Sequence, residues 1–429
     1  MLERNPLKLS QDFNYCLDRL ETSNQSMFIT GRAGTGKSTL LNLIRKTSSK
    51  KMAVVAPTGI AALNVKGQTI HSFFGFPPRT LTSKDIHKVR NHRLFKKLEV
   101  LVIDEISMVR ADMLDNIDYF LRINRENAEP FGGLQVLFFG DLFQLPPVIK
   151  KEEEQHFSFF YDSPYFFSSK VLERGFDLEF IELSKVFRQE QKHFLKLLES
   201  VRLNSIIDFE IDQLNERFDP IFDRKQGYIT LSSRNFAVDK INQQELSRIE
   251  GKPETYIGKM EGNFKASQAP VDIHLHLKIG AQVMFVRNDT ERRFVNGTIG
   301  KVVELEPERI KVEITTPDQR LKVIDVEKEN WEIVKYKLNP FNEPEAEVIG
   351  NFTQFPLKLA WAITIHKSQG KTFDKVIIDM DKGAFAHGQT YVALSRCRTL
   401  EGIVLRKKLK SSDIQVDERI IDFYNTHFR

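Results

Sequence analysis

Gly31-Arg32-Ala33-Gly34-Thr35-Gly36-Lys37-Ser38 stands between an apolar run, Met27–Thr30, and a helix-period segment, Ser38–Arg45, and its reading governs the rest of the chain. Glycines at this spacing let successive backbone N–H groups turn inward as a nest, and the helix that follows adds partial positive charge at its N-terminus. In such a loop Lys37 neutralises the outer phosphates of a nucleotide and the Ser38 hydroxyl ligates magnesium, while Gly34, Thr35, Gly36 and Thr39 complete the cradle. The competing reading is a glycine-rich turn with a chance lysine. A strand before it and a helix after it, in that order, favour phosphate binding.

Working outward, three more apolar runs, Met52–Ala56, Val100–Ile103 and Gln135–Phe139, alternate with helix-period segments, which predicts parallel strands covered by helices. The third of the four strands ends in Asp104-Glu105. Two adjacent acids at a buried strand end are unfavourable unless a cation or a water uses them. Asp104 is expected to hold magnesium through water and Glu105 to polarise the attacking water, although strand ends also turn polar simply on reaching solvent. Past the fourth strand, Gly140-Asp141-Leu142-Phe143-Gln144-Leu145-Pro146-Pro147 sets an amide where it can bond both a γ-phosphate and an attacking water. A solvated loop residue before a rigid Pro-Pro exit is the alternative for Gln144.

The 429 residues leave room for about three domains. With 63 Lys+Arg against 58 Asp+Glu, the net charge of +5 permits an anionic partner without demanding one. Cys16 and Cys397 lie at opposite ends, which excludes a cysteine-based zinc site and fits a reducing compartment or a thiol-indifferent protein. No apolar run approaches the ~18 residues of a membrane span. Met1–Ser10 has no signal core, so a cytoplasmic protein is expected.

A second alternating block comprises Tyr228–Leu231, the helix Phe236–Ile249, the strands Lys358–Ile363 and Val376–Met380, and the helix Thr390–Arg396. Period-two segments interrupt it: Gln282–Val286, Lys301–Leu305, Arg309–Ile314 and Glu332–Tyr336, with Glu306-Pro307-Glu308 as a hairpin turn. The expected organisation is therefore an α/β domain over 1–185, a second α/β domain over 186–250 and 355–429, and a small β-barrel over 251–354 inserted into the second. Residues 64–80, rich in Gly, Phe and Pro, are read as a small surface insertion in the first domain, followed by the basic stretch Ser83–Leu98.

The loop Gly31–Ser38, Ala56-Pro57-Thr58-Gly59, Asp104-Glu105-Ile106-Ser107-Met108, Pro130-Phe131-Gly132-Gly133, Gly140–Pro147, Phe187-Arg188-Gln189, Thr364–Gly370 and Tyr391-Val392-Ala393-Leu394-Ser395-Arg396 together resemble the petite-integration-frequency (Pif-one) family of DNA helicases. The resemblance covers nearly the whole chain, and Met113–Gln135 is the segment that separates that family from its RecD-like relatives. It implies two RecA-like domains with an SH3-like barrel in the second, ATP and Mg2+ as cofactors, and ATP hydrolysis driving 5′-to-3′ movement on single-stranded DNA. It further implies unwinding at single/double-strand junctions by a monomer with no membrane partner, and roles in repair, recombination, telomere maintenance and G-quadruplex processing.

By the same resemblance Arg188 and Arg396 are arginine fingers, with Lys37, Glu105 and Gln144 as the other catalytic residues and Gly370 beside the nucleotide. Asn14, 17 positions before Gly31, stands where the family has an adenine-reading glutamine. Asparagine keeps the amide but is one methylene shorter, which weakens the expectation of strict adenine selectivity. The strand-contacting set is expected to be Pro57, Thr58, Gly59, His71, Ser72 and Phe73 on the first domain and Thr364, His366, Lys367 and Ser368 on the second, all suited to backbone contacts without sequence preference. For Phe73, Phe74 and Phe76, base stacking or a duplex-splitting pin competes with an ordinary core. The inserted barrel is expected to close as a lid over the strand held by Thr364–Gln369. A RecD-like translocase subunit, a nucleotide-gated scaffold that does not unwind, and an RNA-directed enzyme remain the alternatives.

Overall fold

A computed structural model describes residues 9–149, 151–189, 191–223, 227–289, 291, 293–316, 320–380, 383–384 and 386–428. The first lobe is a six-stranded parallel sheet in the order Gln68–Thr69, Met52–Ala56, Val100–Ile103, Gln135–Phe139, Ser26–Gly31 and Leu178–Leu183. Every residue of Ser26–Gly31, Val100–Ile103 and Gln135–Phe139 is buried, as expected of strands covered on both faces. The second lobe is a four-stranded parallel sheet in the order Ala362–Thr364, Ile229–Ser232, Val376–Asp379 and Ile403–Leu405. The protein is thus an α/β molecule built on two parallel sheets.

Between Ile229–Ser232 and Ala362–Thr364 the chain makes antiparallel structure. A five-stranded sheet runs Leu321–Val326, Ile310–Thr315, Ile299–Leu305, Gln282–Phe285 and Leu357–Leu359, around a separate core that includes Val283, Phe285, Val302, Val312 and Phe355. The turn at Glu306–Arg309 closes as a hairpin, its Glu306 N–H donating to the Arg309 carbonyl at 2.9 Å. A long hairpin, Glu329–Leu338 with Pro344–Gln354, forms a three-stranded sheet with Lys259–Gly262.

The strand expected over Lys358–Ile363 is in fact two. Leu357–Leu359 pairs antiparallel with Gln282–Phe285 in the insert, and Ala362–Thr364 joins the parallel sheet. The crossing is pinned by Gln282, whose Nε2 donates to the Tyr228 and Ala360 carbonyls at 2.7 and 2.8 Å while its own carbonyl accepts the Ala360 N–H at 3.0 Å. A mostly apolar run that passes from one sheet into another reads as a single strand because no turn residue marks the change of sheet.

Two further departures concern the first lobe. The segment 64–80 is anchored in the lobe: Gln68–Thr69 joins the sheet, and Phe73, Phe74 and Phe76 are 8, 3 and 4% exposed and pack edge-on against Phe95 and Phe120, while Asn64, Ser72 and Pro78–Thr80 stay exposed. Burial removes Phe73 from any base-stacking or pin role in this arrangement, and a close-packed ring cluster is its physical reason. The long hairpin of the insert then docks on this lobe. Tyr336 Oη accepts the Val54 N–H at 3.0 Å, the Tyr336 N–H donates to Gln68 Oε1 at 3.2 Å, and Lys51 pairs with Glu343 at 2.8 Å. From the other side the C-terminal helix Glu418–Phe428 also returns to the first lobe, stacking Phe423 on Phe167 at 4.4 Å.

Candidate nucleotide cleft and strand path

The loop after Ser26–Gly31 has Gly34 and Gly36 in the left-handed region, at φ 88° and 86°. A Cβ on Gly34 would also lie 2.5 Å from Arg188 Cβ, so backbone conformation and close approach both require glycine there. Lys37 opens the helix Lys37–Thr47 and donates from Nζ to the Gly31 and Arg32 carbonyls at 2.5 and 3.2 Å. Burial pushes its ammonium down, while Asp141 and Glu105 pull it back up. Thr35 is buried, its hydroxyl donating to the Arg32 carbonyl at 3.0 Å, whereas Ser38 and Thr39 face solvent on the first turn of the helix.

At the end of Val100–Ile103, Glu105 adopts φ 51° and ψ 45°. A non-glycine residue in this region carries strain that the surroundings must hold, and such strain gathers at functional sites. Burial, joined by the neighbouring Glu105 charge, raises Asp104; burial also raises Glu105, against the pull of Lys37 and Arg396. Two acids pressed toward neutrality, both in the field of Lys37, form a hard-oxygen pair that a divalent cation would relieve. One strand further, Asp141 Oδ2 accepts from Gln144 Nε2 at 3.0 Å, and Gln144 is 8% exposed.

The second lobe closes the cleft. The Phe187 N–H donates to the Gly34 carbonyl at 2.9 Å, and Tyr391 Oη accepts the Ala33 N–H at 2.9 Å. Arg188 Nη1 donates to the Ser395 carbonyl at 3.1 Å; Arg396, 1% exposed, donates to the Val392 carbonyl and to Ser395 Oγ at 2.9 and 2.8 Å. Burial pushes both guanidiniums down, and for Arg188 the neighbouring Arg396 adds to it. Crowded cations that rest on carbonyl oxygens suit a polyanionic ligand. Gly370 takes φ 74° beyond the turn His366–Ser368.

Asn14 is exposed on the helix Gln11–Thr22, next to the buried Phe13. The Phe13 ring lies 3.1 Å from where a Cβ on Gly36 would stand, and the Phe187 ring is 6.4 Å from it. Phe187 is 54% exposed, an aromatic wall beside the phosphate loop that the sequence reading quoted but gave no role. Asp141 and Tyr391 were likewise passed over, although both lie inside quoted motifs.

The strand-contacting residues are less uniform. Pro57, Thr58 and Gly59 follow the strand Met52–Ala56, with the Thr58 hydroxyl accepting the Ala61 N–H at 3.2 Å as a helix cap. Ser72 is exposed and bonded to Gln68 Nε2 at 2.9 Å, and burial lowers the pKa of half-buried His71. On the second lobe Thr364 and Ser368 are buried and fix the turn itself, Thr364 Oγ1 accepting the Lys367 N–H at 3.3 Å and Ser368 Oγ donating to the Ile365 carbonyl at 2.7 Å. His366 and Lys367 are the exposed members. Gln268 of the insert packs 3.7 Å from the Cβ position of Gly59, so the insert stands over the first-lobe part of the path.

A family model described as PIF1-like helicase matches residues 10–211, and a second, the 2B domain of the DNA helicase Pif1, matches residues 265–305. An ATP-dependent DNA helicase Pif1 from Bdellovibrio bacteriovorus is 33% identical over 97% of this chain and 92% of its own. The chain spans under two thirds of the length of the zebrafish, Emericella and human relatives it also matches. A Bacteroides Pif1 crystal structure with ADP-AlF4 is 41% identical, covers 98% of both chains and superposes with a TM-score of 0.90. Bacteroides Pif1 bound to ssDNA, at 42% identity and 97 and 96% coverage, reaches 0.69. No helix among the described residues is long and apolar enough to cross a membrane.

Proposed function

This chain belongs to the PIF1-like helicase family, and from that membership we propose that it hydrolyses ATP to move 5′ to 3′ along single-stranded DNA and to separate duplexes ahead of it. The observation that carries the reading is the contact of the phosphate loop with the second lobe: Phe187 on the Gly34 carbonyl, Arg188 against Gly34, and Arg396 within the field of Glu105. A cleft lined from both lobes lets nucleotide state set lobe spacing, and Glu105, Arg188 and Arg396 would be idle in a nucleotide-gated scaffold without an activated water.

In this reading Gly34–Thr39 and Lys37 cradle the phosphates, and Asn14, Phe13 and Phe187 border the base. Ser38 and Asp104 hold Mg2+, which when bound neutralises charge on the phosphate oxygens. Glu105 takes the proton of the attacking water, Gln144 orients that water, and Arg188 and Arg396 move from their carbonyl partners onto charge that develops during transfer. Gly370 gives the second-lobe loop the turn it needs beside the nucleotide. Residues 1–185, 186–250 with 355–429, and 251–354 serve as the two motor domains and an SH3-like insert.

Each lobe then grips the strand in turn, through Pro57–Gly59, His71 and Ser72 on one side and His366 and Lys367 on the other, with Thr364 and Ser368 shaping the turn. The docking of the insert over Gly59 favours a resting form in which it must shift before a strand is seated. This differs from a lid that only covers Thr364–Gln369. A strand-displacement assay on 5′- and 3′-tailed DNA duplexes, with matched RNA strands, tests the reading. ATP-dependent displacement of the 5′-tailed DNA is expected; displacement confined to 3′ tails, to RNA, or independent of ATP would overturn it.

A further inference from the structure

Behind the cleft lies a buried cluster that the proposed chemistry does not use. Arg202, at the end of the helix Lys192–Arg202, is 1% exposed. Its guanidinium lies between the rings of Phe143, 4.3 Å from the centroid, and Tyr424, 5.1 Å away. Three carboxylates surround it: Glu182 at 3.2 Å, Glu199 at 3.5 Å and Asp141 at 3.8 Å. Burial would lower its pKa, but Asp141, Tyr391, Glu199 and Glu182 outweigh burial and hold it above the ordinary value. Among the described residues the Nε atom facing Asp141 has no hydrogen-bond partner, so that contact is one of charge.

The carboxylates of this cluster lead to the nucleotide loops. Glu199 Oε2 lies 2.9 Å from Arg32 Nε of the phosphate loop. Asp141 Oδ2 accepts from Gln144 Nε2 at 3.0 Å and from Tyr391 Oη at 3.5 Å, and the same hydroxyl accepts the Ala33 N–H. An ionised carboxylate only accepts, so it draws the amide NH2 of Gln144 toward itself and leaves Oε1 turned away as an acceptor. An acceptor is what is needed to hold a water by its proton. Arg202 and Lys37 both face the 1%-exposed Asp141 carboxylate, and losing the Arg202 charge behind it would let the side chain swing toward the phosphate loop, which frees the amide to turn.

We propose that Arg202 is a positioning residue for ATP hydrolysis: by holding the Asp141 side chain in place it fixes the Gln144 amide with its carbonyl toward the attacking water, and it ties that setting to the second lobe. This rests on the proposed ATPase reading. The test is a double-mutant cycle between Arg202→Met and Gln144→Ala, read as kcat and KM for ATP at saturating single-stranded DNA, with melting temperature and affinity for a non-hydrolysable ATP analogue alongside.

Arg202→Met is expected to lower kcat by about 10- to 100-fold with analogue affinity within about 3-fold. In the Gln144→Ala background it is expected to add less than about 2-fold, because the amide it positions is gone. Arg202→Lys should recover most of the rate, since it restores the charge. Should Arg202→Met fail to fold, Asp141→Asn in the same cycle takes its place, with the same expected non-additivity. Fully multiplicative effects of the two substitutions, or an unchanged kcat in the single variant, overturn the role of Arg202 while leaving the ATPase reading intact. No DNA-stimulated hydrolysis by the unaltered protein overturns both.

Discussion

The proposed nucleotide cleft and the proposed strand path are both made of loops at the ends of parallel strands, yet they are built in opposite ways. In the cleft, residues from Gly31 to Arg396 meet through buried contacts: Gly34 with Phe187, Ala33 with Tyr391, and Gln144 with Asp141. Along the strand path the two lobes contribute separate sets, several of whose polar groups are occupied in capping their own turns, and the insert stands over Gly59. Phosphoryl transfer depends on groups placed before the reaction, which rigid buried contacts supply. A moving grip must open and close, so its groups are left exposed or covered by a part that can leave.

Substitutions separate these two modes. Arg188→Ala or Arg396→Ala should reduce kcat for ATP by about 10³-fold, since each cation acts on charge that develops during transfer. Steady-state hydrolysis and analogue binding measured together check this: a change confined to KM would make that arginine an ordinary binding group. Glu105→Gln should lose about 10²-fold in turnover while ATP and DNA affinities hold. Turnover within a few-fold of the unaltered protein would remove Glu105 from the chemistry.

On the other side of the comparison, Phe73→Leu should lower stability by about 1 kcal/mol, as a core substitution of similar shape does. Fluorescence anisotropy on a single-stranded oligonucleotide should show affinity within about 2-fold. A loss of the ~1–3 kcal/mol typical of a stacked base would return Phe73 to the strand path despite its burial here.

Tyr336→Phe removes the hydroxyl that takes the Val54 N–H and should loosen the docked hairpin by about 1 kcal/mol. Single-stranded DNA affinity should then rise several-fold. An unchanged affinity would mean that docking of the insert and seating of the strand are independent.

The cleft was legible in the sequence because each of its parts is a short local pattern: a loop after a strand, acids at a strand end, an amide before Pro146-Pro147. Asp104, Glu105 and Gln144 could be named without knowing how the chain folds back, whereas Arg188 and Arg396 enter only through the family resemblance. What the sequence did not reveal depends on packing between distant segments. Arg202 and Asp141 are far apart along the chain, and nothing local marks them as neighbours. The aromatic run Phe73–Phe76 suits a stacking surface as well as a core, and the choice is made by Phe95, Phe120 and Tyr336 closing over it. Lys358–Ile363 reads as one strand because no turn residue marks the change of sheet. The strand Pro344–Gln354 escaped notice since its outer half is largely exposed, with Glu345 and Glu347 among the acids that dilute the alternation.

Directional stepping driven by ATP is the central claim, and translocation on single-stranded DNA tests it without a duplex to complicate the outcome. Oligonucleotides of increasing length, carrying a fluorophore at either the 3′ or the 5′ end, would be mixed with protein and ATP in a stopped-flow instrument. The account predicts that the arrival signal at the 3′ end lags in proportion to length, that the lag vanishes without ATP and that Glu105→Gln abolishes it. A length-dependent lag at the 5′ end, or a signal that does not depend on length, would contradict it.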